Sequence, residues 1–100
     1  MRLVRYLDEA RAEFLHEIAY FTEVSPQLAQ RFDDAVQHAE GLAAEFPDMG
    51  MPHKYGTRRY LLKKKLKFSL VYLTLPTEVV VVALAPFSRK PGYWKARVEA

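Results

Sequence analysis

Seven consecutive apolar residues, Val79 to Ala85, are the feature that most constrains the fold of this chain. Four of the seven are valines, and none carries a polar side chain. A β-branched run of this kind is typical of a strand that is buried on both faces, in the middle of a sheet. We therefore expect a sheet built around this strand, with the rest of the chain supporting it.

The segment that follows the strand has the opposite character. Residues 86–97 contain two prolines, one glycine, two adjacent aromatic residues and four cations. A rigid strand that carries such a cluster at its end is a common scaffold for a functional site. The candidate site residues of this cluster are Arg89, Lys90, Tyr93, Trp94, Lys95 and Arg97.

The first half of the chain predicts a short edge strand and two helices. Residues 2–6 alternate polar and apolar side chains, and Asp8 is a suitable N-cap for a helix over residues 9–23, with Glu13 on its solvent side. Ser25-Pro26 starts a second helix, because serine caps and proline is preorganised for the first helical position. The second helix carries one apolar stripe, which consists of Leu28, Phe32, Ala35, Val36, Ala39, Leu42, Ala43 and Phe46.

Three further strands are predicted over residues 59–63, 67–74 and 78–85. The connections between them are short, which favours an antiparallel meander. The predicted order is βααβββ, an α+β fold in which a helical hairpin packs on one face of a small, mainly antiparallel sheet. We expect one domain over residues 1–100, with the other sheet face free and available for function.

Several function classes are disfavoured by what the sequence lacks. It has no cysteine, its three histidines show no metal-ligand spacing, and it has no phosphate-binding glycine loop or dinucleotide fingerprint. We therefore expect no metal and no cofactor. No apolar stretch approaches the roughly 20 residues that a membrane helix needs, so we expect no membrane partner and a cytoplasmic location.

Charge is divided unequally between the two halves of the chain. Residues 1–50 hold four Lys/Arg and ten Asp/Glu, a net charge of −6, whereas residues 51–100 hold eleven and two, a net charge of +9. This asymmetry indicates a basic surface for a polyanion or an acidic partner; a solvated surface is the alternative explanation. The candidate binding cations outside the C-terminal cluster are Arg58, Arg59, Lys63, Lys64, Lys65 and Lys67.

Both basic segments have a structural explanation beside the functional one. Lysines at the turn after residue 62 would supply sequence-independent contacts to phosphates, or they would blunt an exposed sheet edge. Aromatic residues among cations, as at Tyr93 and Trp94, suit single-stranded nucleic acid or a protein hot spot. For Trp94 we favour burial against the core, because a lone tryptophan in a small domain is usually buried.

The chain resembles the RelE/ParE superfamily of toxins from type II toxin–antitoxin systems. The resemblance is carried by the βααβββ order, by Phe46–Gly50 after the second helix, by Arg59 and Phe68–Tyr72 in the following strands, and by Arg89–Trp94 at the end. It covers essentially the whole chain. It implies a cognate antitoxin that wraps and neutralises the toxin in a hetero-oligomeric complex.

The superfamily contains two activities. RelE-like members cut mRNA on the ribosome without a metal, and this reading would make Lys63, Arg89 and Tyr93 catalytic. ParE-like members poison DNA gyrase and lack that catalytic set. Two positions at which the nuclease pattern has arginine carry Ser69 and Phe87 here. We therefore favour a ParE-like toxin with a protein target, DNA gyrase, over an mRNA endoribonuclease or a binding module without toxicity.

Overall fold

The computed structural model describes residues 1–63 and 65–99. The first three elements are β1 (Leu3–Tyr6), α1 (Asp8–Val24) and α2 (Pro26–Glu45). The others are β2 (Met51–Pro52), β3 (Arg58–Leu61), β4 (Phe68–Thr74), β5 (Glu78–Pro86) and α3 (Lys95–Glu99), with short 3-10 turns at Pro47–Met49 and Lys54–Gly56. None of the helices in these residues has the length and apolar character needed to cross a membrane.

The five strands form one sheet in the order β1-β5-β4-β3-β2. β1 pairs with β5 in parallel, from Leu3 opposite Glu78 to Tyr6 opposite Val81, and the other pairs are antiparallel. The predicted α+β class, the helical hairpin and the interior position of the Val79–Ala85 strand are confirmed. The sequence did not predict β2 and α3, because elements of two and five residues are too short to show a periodicity.

The two helix starts differ in how well they were predicted. Ser25 caps α2 with its Oγ, which accepts a hydrogen bond from the Leu28 amide at 3.4 Å, and Pro26 is in the first turn, as expected. Asp8 is not the cap of α1. Leu7 takes the N-cap position without a side-chain hydrogen bond. Asp8 is the first helical residue, where its negative charge interacts favourably with the helix dipole.

The main core lies between the helical hairpin and one face of the sheet. Its centre is Phe32, which is fully buried. The centroid of its ring lies 5.0 Å from that of the Phe21 ring and 5.2 Å from that of the Phe68 ring. The predicted stripe of α2 is buried at Phe32, Ala35, Val36, Ala39 and Ala43, whereas Leu28 and Leu42 are half-buried and Phe46 is 55% exposed. Phe46 follows the last helical residue with φ −129°, so the helical period no longer directs its side chain into the core.

The second face of the sheet is not free, which corrects the prediction. The C-terminal segment, residues 87–99, folds back over it and buries Trp94 against Val71, Val82 and Ala83. The cause lies in β5, whose apolar side chains point to both faces and leave apolar surface that a single helical layer cannot cover. Burial of Trp94, the favoured explanation for that residue, is thereby confirmed.

Candidate functional site

A cleft of about 120 Å³ opens on the second face of the sheet, between β3, the end of β5 and the C-terminal segment. We call it the basic cleft. It combines a hydroxyl and an imidazole with three cations and an apolar rim. Its lining consists of His53, Arg59, Ser69, Val71, Ala85, Pro86, Phe87, Arg89, Lys90, Pro91, Tyr93 and Trp94.

Strand register brings the floor of the cleft together. Arg59 of β3 is opposite Val71 of β4, and Ser69 of β4 is opposite Ala85 of β5. Because side chains alternate along a strand, these residues point to the same face, away from the helices. Ser69 is only 3% exposed, and it lines the cleft that separates Arg59 from the C-terminal segment. The sheet thus holds one cation and one hydroxyl rigidly at the floor.

The rim of the cleft is a turn that follows β5. The Phe87 amide donates a hydrogen bond to the Lys67 carbonyl at 2.9 Å, and the Arg89 amide donates to the Pro86 carbonyl at 3.1 Å. The Arg89 guanidinium carbon lies 3.7 Å from the centroid of the Tyr93 ring. Stacking on a ring leaves the in-plane N–H groups of a guanidinium available to an anion. The stacking therefore orients the Arg89 side chain and leaves its N–H groups available for binding an anion.

All the charged side chains that line the cleft, among the described residues, are positive. Arg59, Arg89 and Lys90 line it, and no Asp or Glu does. The pKa of His53 is lowered, first by burial and then by the neighbouring charges of Arg59 and Lys54. A depressed pKa keeps this imidazole neutral near pH 7. His53 is not among the site residues predicted from the sequence, because nothing in its loop context connects it with β3 or with the C-terminal segment.

The Tyr93 hydroxyl is bound by Glu13 of α1. It donates a hydrogen bond to Glu13 Oε2 at 2.6 Å, and Arg97 donates to both oxygens of the same carboxylate at 2.9 and 3.0 Å. The Leu84 amide completes the set at 3.1 Å from Glu13 Oε1. We call these four residues the Glu13 network. Burial, and then the bond to the Glu13 carboxylate, raises the pKa of Tyr93 well above its ordinary value.

The Glu13 network also completes an unfinished edge of β5. β1 ends at Tyr6, opposite Val81, so beyond that point β5 is paired with β4 on one side and has no strand on the side of β1. Arg97 donates to the Val82 carbonyl at 3.0 Å, and Glu13 accepts from the Leu84 amide. Glu13 was predicted to face solvent and is instead nearly buried. Its spacing of three residues from the buried Ala10 was the available signal.

Two of the cations predicted to bind a target are used inside the protein instead. Arg97 is only 16% exposed in its ion pair with Glu13. Arg58 donates to the carbonyls of Gly50 and Asp48 at 2.7 and 3.1 Å, and so holds the segment after α2. These positions were predicted from composition, which does not distinguish a cation that faces solvent from one that satisfies the backbone.

The described lysines between β3 and β4, Lys63, Lys65 and Lys67, do not line the basic cleft. Lys63 lines another depression, of about 460 Å³, together with Leu28, Arg31, Asp34, Lys65 and Leu66. Lys65 and Lys67 are exposed, and Lys64 lies outside the described residues. Lys95 is also exposed; its Nζ is 3.4 Å from Glu99 and 5.3 Å from the Tyr55 ring centroid. Lys63, Arg89 and Tyr93 therefore do not line a common cavity.

The chemistry open to this arrangement is anion binding. Three permanent cations surround a small cavity, and the hydroxyl of Tyr93 is committed to a carboxylate. Within residues 1–63 and 65–99 there is no cluster of His, Asp and Glu that could hold a metal ion. His53 is the one lining side chain with an ordinary pKa near neutrality.

A family model described as "ParE toxin of type II toxin-antitoxin system, parDE" matches residues 4–91 of the chain. The matched range runs from Val4, the second residue of β1, through β5 and Arg89 to Pro91. Among curated proteins, none matches. A solved structure titled "Chromosomal ParDE TA system from P. aeruginosa" is similar at 14% sequence identity and a TM-score of 0.73, covering 86% of this chain and 96% of that chain. At this identity the likeness is one of fold.

Proposed function

Because this chain belongs to the ParE toxin family of type II toxin–antitoxin systems, we propose that it stops growth by binding a protein target. DNA gyrase is the target that the superfamily resemblance implies, and a cognate antitoxin would neutralise the toxin. Gyrase is a cytoplasmic protein, and we place the action of the toxin there. In this proposal the toxin acts by binding and catalyses no reaction of its own.

The hydrogen bond from the Tyr93 hydroxyl to Glu13 is the observation that supports this proposal. Metal-free RNA cleavage needs cations and an acid/base group that converge on one phosphate. Here the Tyr93 hydroxyl is 2.6 Å from a carboxylate oxygen, and its raised pKa opposes ionisation. Lys63 lies in a different depression. Two of the three residues of the nuclease reading are thus poorly placed for catalysis.

The nuclease reading retains one observation in its favour. His53, whose pKa is lowered by burial and by the charges of Arg59 and Lys54, lines the basic cleft together with Arg59 and Arg89. A neutral imidazole among cations is a competent general base for a ribose hydroxyl. We keep an mRNA endoribonuclease built on His53, Arg59 and Arg89 as the second candidate, which the same experiment tests.

Induction of the toxin in bacteria that lack the antitoxin distinguishes the two candidates. For a gyrase poison we expect DNA synthesis to stop and the DNA-damage response to rise while bulk mRNA stays intact. Purified toxin should also inhibit supercoiling by purified gyrase. Codon-periodic cleavage of translated mRNA in primer extension would overturn the proposal and establish the nuclease.

Tyr93→Phe provides a matched variant for this experiment. It removes the hydroxyl that a nuclease built on Lys63, Arg89 and Tyr93 would require and keeps the ring on which Arg89 stacks. A protein-binding toxin should keep its toxicity within a few-fold, provided that circular dichroism shows a folded variant. A folded variant without toxicity would contradict the proposal.

A further inference from the structure

We infer that the basic cleft binds a carboxylate side chain of a protein partner, an Asp or Glu that adjoins an apolar residue. This inference rests on the proposed function only in taking the partner to be a protein. It assigns a ligand to the pocket formed by Arg59, Ser69 and the Arg89 turn. The target and the antitoxin are the two proteins that would supply this side chain, and the experiment below distinguishes them.

The first argument is that the cations of the cleft are uncommitted. Among the described residues, the ion pairs involve Arg5, Arg58, Lys95 and Arg97, and none involves Arg59, Arg89 or Lys90. The nearby Glu13 carboxylate is already saturated by Tyr93, Arg97 and the Leu84 amide. Among the described residues, no carboxylate thus forms an ion pair with these three cations, although Arg89 also lines a neighbouring depression with Glu13 and Glu17. An external anion is the natural counter-charge.

The second argument is size. A volume of about 120 Å³ is well below the roughly 300–1,000 Å³ of pockets that enclose a drug-sized ligand. The cleft therefore accommodates a single side chain or one small anionic group. Arg59 and Arg89 both line the cleft, and the guanidinium of arginine gives two parallel hydrogen bonds to a planar carboxylate.

The third argument favours a protein over single-stranded nucleic acid. Sequence-tolerant binding of single strands uses exposed aromatic faces on which bases stack. Trp94 is 1% exposed, and the Tyr93 ring has the guanidinium carbons of Arg89 and Arg97 at 3.7 and 5.3 Å from its centroid. Of the three aromatic rings in residues 86–97, only Phe87 is exposed. The segment therefore lacks the series of exposed rings along which successive bases of a single strand stack.

The rim of the cleft supplies the apolar part of the proposed ligand. Phe87 is 50% exposed and lines the cleft, as do Pro86 and Pro91. An exposed aromatic beside fixed charges is typical of a protein-binding hot spot. An apolar side chain next to the partner's carboxylate would cover Phe87 while the carboxylate enters the cleft.

Peptide binding to the purified full chain tests this assignment. The probe is a capped peptide with the sequence Ala-Leu-Glu-Leu-Ala, and the control peptide has Gln in place of Glu. Trp94 lines the cleft and is the single tryptophan of the chain, so its fluorescence reports binding directly. The cleft variants are Arg59→Gln and Arg89→Gln, and the matched controls are Lys65→Gln and Lys67→Gln, which remove exposed cations outside the cleft.

We expect the Glu peptide to bind more tightly than the Gln peptide, and each cleft variant to weaken it about tenfold. The lysine controls should bind like the wild-type chain. Equal binding of both peptides, or unchanged binding in both cleft variants, would overturn the assignment. A ten-nucleotide single-stranded RNA that displaces the peptide and binds more tightly through Arg59 would also overturn it.

The same variants identify the source of the carboxylate in cells. Loss of antitoxin capture by Arg59→Gln assigns the carboxylate to the antitoxin, whereas loss of toxicity with antitoxin capture retained assigns it to the target. If neither property changes, the inference fails even when gyrase is inhibited. If gyrase is unaffected while the Glu peptide binds through Arg59, the gyrase proposal fails and this inference stands.

Discussion

The hydroxyl of Tyr93 donates a 2.6 Å hydrogen bond to Glu13 Oε2, although the two residues are 80 positions apart in the chain. This contact fastens the C-terminal segment to the first helix. It also decides how the segment functions, because the ring of Tyr93 carries Arg89 at the rim of the basic cleft. A carboxylate on α1 therefore fixes the position of a cation on the opposite layer of the molecule.

Removal of Glu13 should destabilise the fold. Glu13→Ala leaves the Arg97 guanidinium, 16% exposed, without its carboxylate and leaves the Leu84 amide without an acceptor. We expect a loss of about 2–3 kcal/mol in the free energy of unfolding, measured by urea titration. Glu23→Ala, on the exposed face of the same helix, is the control and should change little. Equal stability of both variants would show that the network contributes nothing to the fold.

Arg89→Ala should separate function from stability. The side chain is exposed and contacts the Tyr93 ring, an interaction worth about 0.5–1 kcal/mol at such sites. We expect a thermal midpoint close to that of the wild-type chain and a clear reduction in toxicity upon induction. A variant that fails to fold would make Arg89 a structural residue and would remove it from the site.

The stability of the toxin should increase with pH across the titration range of His53. The folded chain holds the pKa of this histidine below its ordinary value, so between the two values the unfolded chain binds more protons than the folded chain. Protons then favour unfolding, and stability falls as the pH decreases below about 6.5. Urea titrations of the wild-type chain and His53→Asn between pH 7.5 and 5 test this. The variant should show a smaller decrease, and an equal decrease in both would assign it to other groups.

Core substitutions should lower both stability and expression. Phe32 is fully buried among Phe14, Phe21 and Phe68, so Phe32→Ala should cost about 3–5 kcal/mol. Val81→Asp introduces an unpaired charge into the centre of the sheet and should prevent folding. Soluble yield and circular dichroism provide the readout. Leu15→Ala, at a position that is 57% exposed, is the control and should behave like the wild-type chain.

The antitoxin should present an acidic segment to the basic side of the toxin. The prediction follows from the net charge of +9 in residues 51–100 and from the position of Arg59, Arg89 and Lys90 in one cleft. A structure of the complex should show carboxylates within 4 Å of these groups, in keeping with the usual distance for an ion pair. A complex in which the antitoxin contacts only the acidic helices would refute it.

The sequence predicted those parts of the fold that depend on local pattern. The valine run of β5 predicted an interior strand, and Ser25-Pro26 predicted a helix start. Both predictions depend only on a few neighbouring residues. The predicted class and the order of the main elements followed from such signals. Asp8 shows where this reasoning fails: a good capping residue was displaced by one position because the preceding strand fixes where the helix begins.

The composition of the cleft could not be predicted in the same way. Arg59 and Ser69 meet only through the β3–β4 register, and both meet Arg89 only because the C-terminal segment folds back. Glu13 and Arg97 are 84 positions apart and carry no local signal for each other. The sequence identified Arg59, Arg89 and Lys90 by charge, yet Arg58 and Arg97 satisfied the same criterion and are used internally.

The unfinished edge of β5 has a consequence for association between toxin molecules. A strand edge with open N–H and C=O groups is a template on which another chain can add a strand. Arg97 and Glu13 already use the Val82 carbonyl and the Leu84 amide, so this stretch offers no hydrogen-bonding ladder to a neighbour. The Glu13–Arg97 pair thus removes this stretch of β5 as a place where a second chain could add a strand.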